Sequence, residues 1–142
     1  MPTSYPIYKD SVRNWFLQNV PLDTLILDVG AGCGTYSDLL RGYGYKMDAV
    51  EIWEPYINQY GLKNKYGWVY EENVLKMPLD VLGAYDFYIL GDVLEHLSVE
   101  DAQWLMNFLK IKGKPQSEKK EHLSIDLMLD LKLSNRFVDL EI

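Results

Sequence analysis

Two stretches of this sequence hold residue types at spacings that could do chemistry. The first is "LILDVGAGCGTYSDLL", residues 25–40, where Asp28 precedes three glycines spaced two apart, Gly30, Gly32 and Gly34. Glycine in ordered backbone costs conformational entropy. The run therefore serves either a tight strand-to-helix turn or a ligand that must come up against bare backbone. The second is "GDVLEHL", residues 91–97, where Glu95 and His96 follow a strand-like run. Imidazole titrates close to neutrality, so His96 could take a proton from an acceptor hydroxyl; it could equally be packed at a helix start. Cys33 has no base nearby in the sequence and reads as a small filler, not a nucleophile. No metal site is expected.

Glycine spacing separates the ligands that use such a corner. The dinucleotide fingerprint G-x-G-x-x-G, read from Gly30, requires glycine at position 35, and this chain has Thr35. An acid ahead of the glycines suits a cation and not a pyrophosphate. Glu51 lies roughly 20 residues beyond the glycines, where a carboxylate can accept two hydrogen bonds from a ribose diol.

The elements that must position these residues alternate along the chain. Tyr8, Val12, Trp15, Phe16 and Val20 fall near helical spacing, predicting a helix over 7–19 that Pro21 ends. "TLILDV" (24–29) is a short apolar run, as expected of a strand buried on both faces. A helix over 35–44 ending at Gly42 or Gly44 follows, then a strand over 46–53, a helix opened by Pro55, a shorter strand in "GWVYEENV" and a fourth strand in "YDFYILGD" (85–92). Asp86 is expected to fix the loop before the fourth strand. Ser98 and Asp101 resemble a capping box for a helix whose stripe is Ala102, Leu105, Met106 and Leu109. This order predicts an α/β fold of three layers, a mostly parallel sheet with helices on both faces. In the tail, Ile125, Leu127, Leu129, Leu131 and Leu133 alternate, which argues for a strand; weak strand propensity leaves a helix as the rival.

Composition narrows the classes. The chain has 142 residues, 48% hydrophobic and 25% charged, enough for one domain with a real core. No apolar run has the length of a membrane span, and a cytoplasmic location is the default expectation. A net charge of −7 argues against a nucleic-acid partner, and the lysines at 110, 112, 114, 119 and 120 read as a solvated loop. One cysteine excludes an internal disulfide framework. Eleven tyrosines and four tryptophans exceed what a small core needs, so some could line a pocket for a flat ligand.

The glycine segment resembles the first motif of the Rossmann-like, class I S-adenosylmethionine-dependent methyltransferases. "DAVEIWEPYI" (48–57) looks like their second-strand motif, "ENVLKMPL" (72–79) like the segment flanking adenine, and "YDFYILGDVLEHL" (85–97) like the fourth-strand motif of the small-molecule branch. Each motif is weakly specific; four in order, over roughly residues 22–110, are together strong. The resemblance implies S-adenosylmethionine as cofactor. It implies that Gly30, Ala31, Gly32 and Gly34 bring backbone against the methionine and ribose, and that Asp28 holds the ammonium group directly or through water. Glu51 would take the ribose hydroxyls, and Ile52 and Trp53 would pack beside adenine, although Trp53 as plain core is an equal reading. Asn73, standing where the family has Asp, and the Val74 N–H would meet the adenine edge, and the Gly91 carbonyl the methionine amino group. His96 and Glu95 are the candidate catalytic residues.

The resemblance stops near Gly113. Residues 1–112 are expected to form the cofactor-binding domain, and 113–142 an atypical tail with the family's later strands truncated or replaced. The alternating segment would cover the exposed edge of the fourth strand, within the chain or across a homodimer. The expected function is methyl transfer to a small-molecule or protein acceptor. The alternatives are a non-catalytic binding or interaction module and, disfavoured by the glycine spacing, a nicotinamide oxidoreductase.

Overall fold

A computed structural model of the chain describes residues 9–91 and 93–112. Helix α1 (Lys9–Asn19) is followed by strand β1 (Leu25–Val29), helix α2 (Thr35–Leu39) and strand β2 (Lys46–Val50). Short helices α3 (Glu54–Gln59) and α4 (Leu62–Lys65) lead to strand β3 (Val69–Tyr70). A single 3-10 turn (Val74–Lys76), helix α5 (Leu79–Leu82), strand β4 (Phe87–Ile89), a second 3-10 turn (Leu94–His96) and helix α6 (Val99–Lys112) complete the described chain. The strands form one parallel sheet in the order β3-β2-β1-β4. The chain first builds outward from β1 through β2 to β3, then returns to the other side of β1. Such a reversal opens a crevice at the strands' carboxyl ends.

Strand alternation divides the core into two layers. Leu27, Val29, Val50, Tyr88 and Leu90 pack on one face with Ala102, Leu105, Met106 and Leu109 of α6. Ile26, Met47, Ala49, Phe87 and Ile89 pack on the other with Val12 and Phe16 of α1, Ile57 of α3 and Leu62 of α4. The α6 stripe is buried as its spacing predicts, and the Ser98 hydroxyl accepts from the Asp101 N–H at 3.1 Å as the N-terminal cap. The Asp86 carboxylate accepts from the Leu25 N–H at 3.0 Å, tying the entry of β4 to that of β1.

Each mid-strand aspartate meets a tyrosine on its own face. The Tyr66 hydroxyl donates to Asp28 at 2.5 Å, and the Tyr85 hydroxyl donates to Asp48 at 2.6 Å. Burial, with the neighbouring carboxylates, pushes the ionisation of both tyrosines well above its ordinary value, and burial raises Tyr88 to about 12.

Several elements differ from expectation. The second helix ends at Leu39 and not near Gly44, because Gly42 and Gly44 take left-handed backbone and turn the chain into β2. The second strand stops at Val50, and the third is only two residues long. Helices α4 and α5 were not expected. The proposed strand over 124–133 and its edge pairing lie outside the described residues.

Two outcomes follow. Leu105→Ala should cost about 2–5 kcal/mol in denaturant unfolding, since Leu105 is wholly buried. The buried tyrosines are neutral acids with raised folded-state pKa values, so their stabilisation is complete below pH ~10 and is lost as pH climbs beyond it. The tyrosinate absorbance contributed by Tyr66, Tyr85 and Tyr88 should therefore rise in step with loss of the native circular dichroism, not ahead of it.

Candidate functional site

The loop from β1 to α2 is built on left-handed backbone. Gly32 has φ 59° and Gly34, directly before α2, has φ 84°, a region that disfavours any side chain. At Gly34 a Cβ would also stand 2.8 Å from Lys65 Cδ. The loop's N–H groups turn toward the end of β2. Those of Gly30 and Ala31 donate to the Val50 carbonyl at 2.8 and 3.1 Å, and that of Gly34 donates to the Ala31 carbonyl at 2.9 Å.

The Gly32 N–H goes to Glu51. Its Oε1 accepts from the Gly32 N–H at 2.7 Å and its Oε2 from the Trp53 N–H at 2.9 Å. Glu51 is 6% exposed, so it is not the solvated strand-end residue that its position alone would allow. One carboxylate thus joins the glycine loop to the segment after β2. It also occupies the N–H that a pyrophosphate would need, and its charge would repel one. Each oxygen keeps a lone pair, so the group can still accept from a diol.

These loops border a cleft of about 420 Å³ at the carboxyl ends of the strands. Its walls include Val29 at the end of β1 with Gly30 and Gly32 beyond it, Val50 at the end of β2 with Glu51 to Trp53 beyond it, Glu72 to Val74 after β3, and Val93, His96 and Leu97 after β4. The volume is in the range of small-molecule sites. Asn73 Oδ1 accepts from the Leu75 N–H at 3.0 Å, capping the 3-10 turn and fixing the Asn73 side chain at the cleft wall. Ile52 and Trp53 are 64% and 56% exposed at the rim, so Trp53 is not core. His96 also lines the cleft; its side chain is 69% exposed, with Nε2 3.9 Å from the Glu95 carboxylate.

Of the residues expected from sequence, Gly30, Gly32, Glu51, Ile52, Trp53, Asn73, Val74 and His96 are brought together around this cleft. Asp28, Ala31, Gly34, Gly91 and Glu95 are not in its wall. Asp28 is 1% exposed and bonds the Tyr66 hydroxyl on the face below the loop. Ala31 and Gly34 shape the turn. Tyr56 and Glu72 line the cleft and were not anticipated; Tyr56 stands one helical turn from Trp53, a spacing that could have found it.

A family model described as a methyltransferase domain matches residues 27–111. Two crystal structures of magnesium protoporphyrin IX methyltransferase from Synechocystis PCC 6803, one with bound S-adenosylmethionine and one with bound S-adenosylhomocysteine, are similar to the chain. Both are 23% identical, with TM-scores of 0.62 and 0.61. Each match covers 75% of this chain, and 53% and 51% of theirs, so the chain spans about half the length of those structures. At that identity the likeness bears on the fold alone. No curated protein matches.

Glu51→Gln tests the carboxylate strap without any ligand. An amide would turn an NH₂ donor onto one of two backbone N–H groups, leaving it without an acceptor. A loss of about 1–3 kcal/mol in chemical denaturation is expected. An unchanged midpoint would mean that the strap contributes nothing.

Proposed function

With the chain belonging to the methyltransferase-domain family of class I S-adenosylmethionine-dependent enzymes, we propose that its cleft binds S-adenosylmethionine and serves methyl transfer to a small-molecule or protein acceptor. The observation that carries this reading is Glu51. Its carboxylate closes the glycine loop to a phosphate and keeps acceptor capacity at the cleft wall for a ribose diol. The residues fit the adenosine half of that cofactor. Val50, Ile52, Val74 and Leu97 offer apolar surface, Trp53 and Tyr56 offer ring faces, and Asn73 Oδ1 keeps a lone pair for an exocyclic amine. Gly30 and Gly32 would let backbone approach the sugar. The Gly91 carbonyl would accept from the methionine amino group. Asp28 serves from below, holding the end of β1 through Tyr66.

Bound there, the cofactor would supply a methyl group already activated on a sulfonium, so alignment carries most of the work. His96 would accept the proton that a hydroxyl acceptor releases, and Glu95, 3.9 Å away, would steady its orientation. A nucleic-acid acceptor is disfavoured by the net charge of −7 and by Glu72 at the cleft. Among the described residues no helix is long and apolar enough to cross a membrane, and a cytoplasmic location is part of this reading. A non-catalytic binding module is a second reading, in which the cleft holds the cofactor and His96, its side chain 69% exposed, takes no proton.

Calorimetric titration with S-adenosylmethionine and with NAD tests the ligand. Saturable binding of the first, at least tenfold weaker in Glu51→Ala, is expected; binding of NAD alone would overturn the reading. Release of S-adenosylhomocysteine across a panel of hydroxyl acceptors separates enzyme from module. In an active enzyme, His96→Ala should lower kcat by roughly 10²–10⁴ with cofactor affinity unchanged.

A further inference from the structure

Among the described residues the sheet has two outer strands, and they are unlike. β3 is two residues long and half-buried, with the exposed Trp68 directly before it. So short a strand offers little for another chain to pair with. β4 stands at the other end of the order, and its residues Phe87, Tyr88 and Ile89 are all buried, as is Leu90 after them. This run holds no charge and no proline, the devices that guard an open edge. By its residues β4 is an inner strand.

Its main chain points the same way. The Asp86 N–H donates to the Leu25 carbonyl at 2.9 Å, so Asp86 and, two residues on, Tyr88 turn their main-chain groups toward β1. Those of Phe87 and Ile89 turn to the opposite side, where among the described residues no strand pairs with β4. Ile89 is wholly buried, and a buried N–H or C=O needs a partner in place of bulk water.

The sequence beyond α6 holds a segment of the complementary kind. Ile125, Leu127, Leu129, Leu131 and Leu133 make one apolar row, while Asp126, Asp130 and Lys132 put charges in the alternate row. An apolar row with charges opposite suits an outer strand that keeps one face in water. Residues 113–123 reach about 35 Å when extended, and α6 is about 20 Å long, so the segment can reach β4 from the end of that helix. Carried on the same chain, it meets the edge at an effective concentration in the millimolar range, which a second copy in dilute solution does not match.

We infer that residues 124–133 add to the open edge of β4 within the same chain, exchanging main-chain hydrogen bonds with Phe87 and Ile89. β4 then has a strand on each side, and Asp126, Asp130 and Lys132 guard the edge that results.

Nuclear magnetic resonance of the full chain tests the pairing. Overhauser contacts from the Phe87 and Ile89 amide protons to backbone protons of residues 124–133 are expected, unchanged on dilution and absent between differently labelled copies. Contacts between copies would assign the edge to a dimer and overturn the inference, as would the lack of any contact. Neighbouring residues of a strand turn their N–H groups to opposite sides, so one of Leu129→Pro and Asp130→Pro must delete an N–H that faces β4. That variant should speed amide exchange at Phe87 and Ile89 about tenfold or more, with Asp86 and Tyr88 less affected. Unchanged exchange in both variants would mean that another element holds the edge, which also overturns the inference. Should either variant lose its native circular dichroism, the contacts in the unmodified chain decide. Spacing separates a strand from a helix. Leu127→Asp, Leu129→Asp and Leu131→Asp should each lower the denaturation midpoint, and Asp126→Asn and Asp130→Asn should leave it in place. A loss at Leu129 with none at Leu127 and Leu131 is the pattern of a helix and is incompatible with the pairing.

Discussion

The site depends on one buried carboxylate holding two loops together. Left-handed glycines make a loop that can take many shapes, and that freedom must be removed for the loop to act as a surface. Glu51 removes much of it by accepting from Gly32 and Trp53 at once. The Val50 carbonyl removes more by accepting from Gly30 and Ala31. The end of β2 is thus the template for the loop after β1, and the five-residue register between those strands sets the geometry of the cleft. Pinning before binding lowers the ordering cost that a ligand would otherwise bear.

The same chain handles acids inside its sheet by one repeated device. Asp28 and Asp48 lie on opposite faces of neighbouring strands, and each is met by a tyrosine hydroxyl. A neutral donor satisfies a carboxylate without bringing a second charge out of water. The abundance of tyrosine follows in part from this. Tyr66 and Tyr85 are bound to aspartates, Tyr45 shares its hydroxyl between the Phe16 and Val20 carbonyls at the end of α1, and Tyr88 bonds the Leu82 carbonyl. These rings serve the frame; among the described residues Tyr56 is the tyrosine at the cleft wall.

Much of this was legible in the sequence, where the signal was local and periodic. The α6 stripe, the apolar runs of β1 and β4, the Ser98 cap and the role of Asp86 each follow from a few neighbouring residues. Glu51 was legible because its distance from the glycines reflects a repeated strand-helix-strand unit. The one-turn helices α4 and α5 were not, since four residues are too few to show a period. The pairing of Asp28 with Tyr66 was hidden for another reason: it joins residues 38 positions apart, and a lone acid gives no sign of its partner. Without that partner in view, the sequence shows Asp28 only as an acid ahead of the glycines. Trp53 was ambiguous because hydrophobicity cannot tell a core ring from one waiting at a rim.

Among the described residues the walls of the cleft come from Val29 to Leu97, while α1 lies before that span and α6 after it, each backing a face of the sheet. The binding surface is therefore a contiguous cassette with supports at both ends. Helices α1 and α6 can be lengthened or exchanged, provided that they still cover the sheet, without redrawing the cleft. A fold arranged in this way can keep one small-molecule site through many changes of the parts around it.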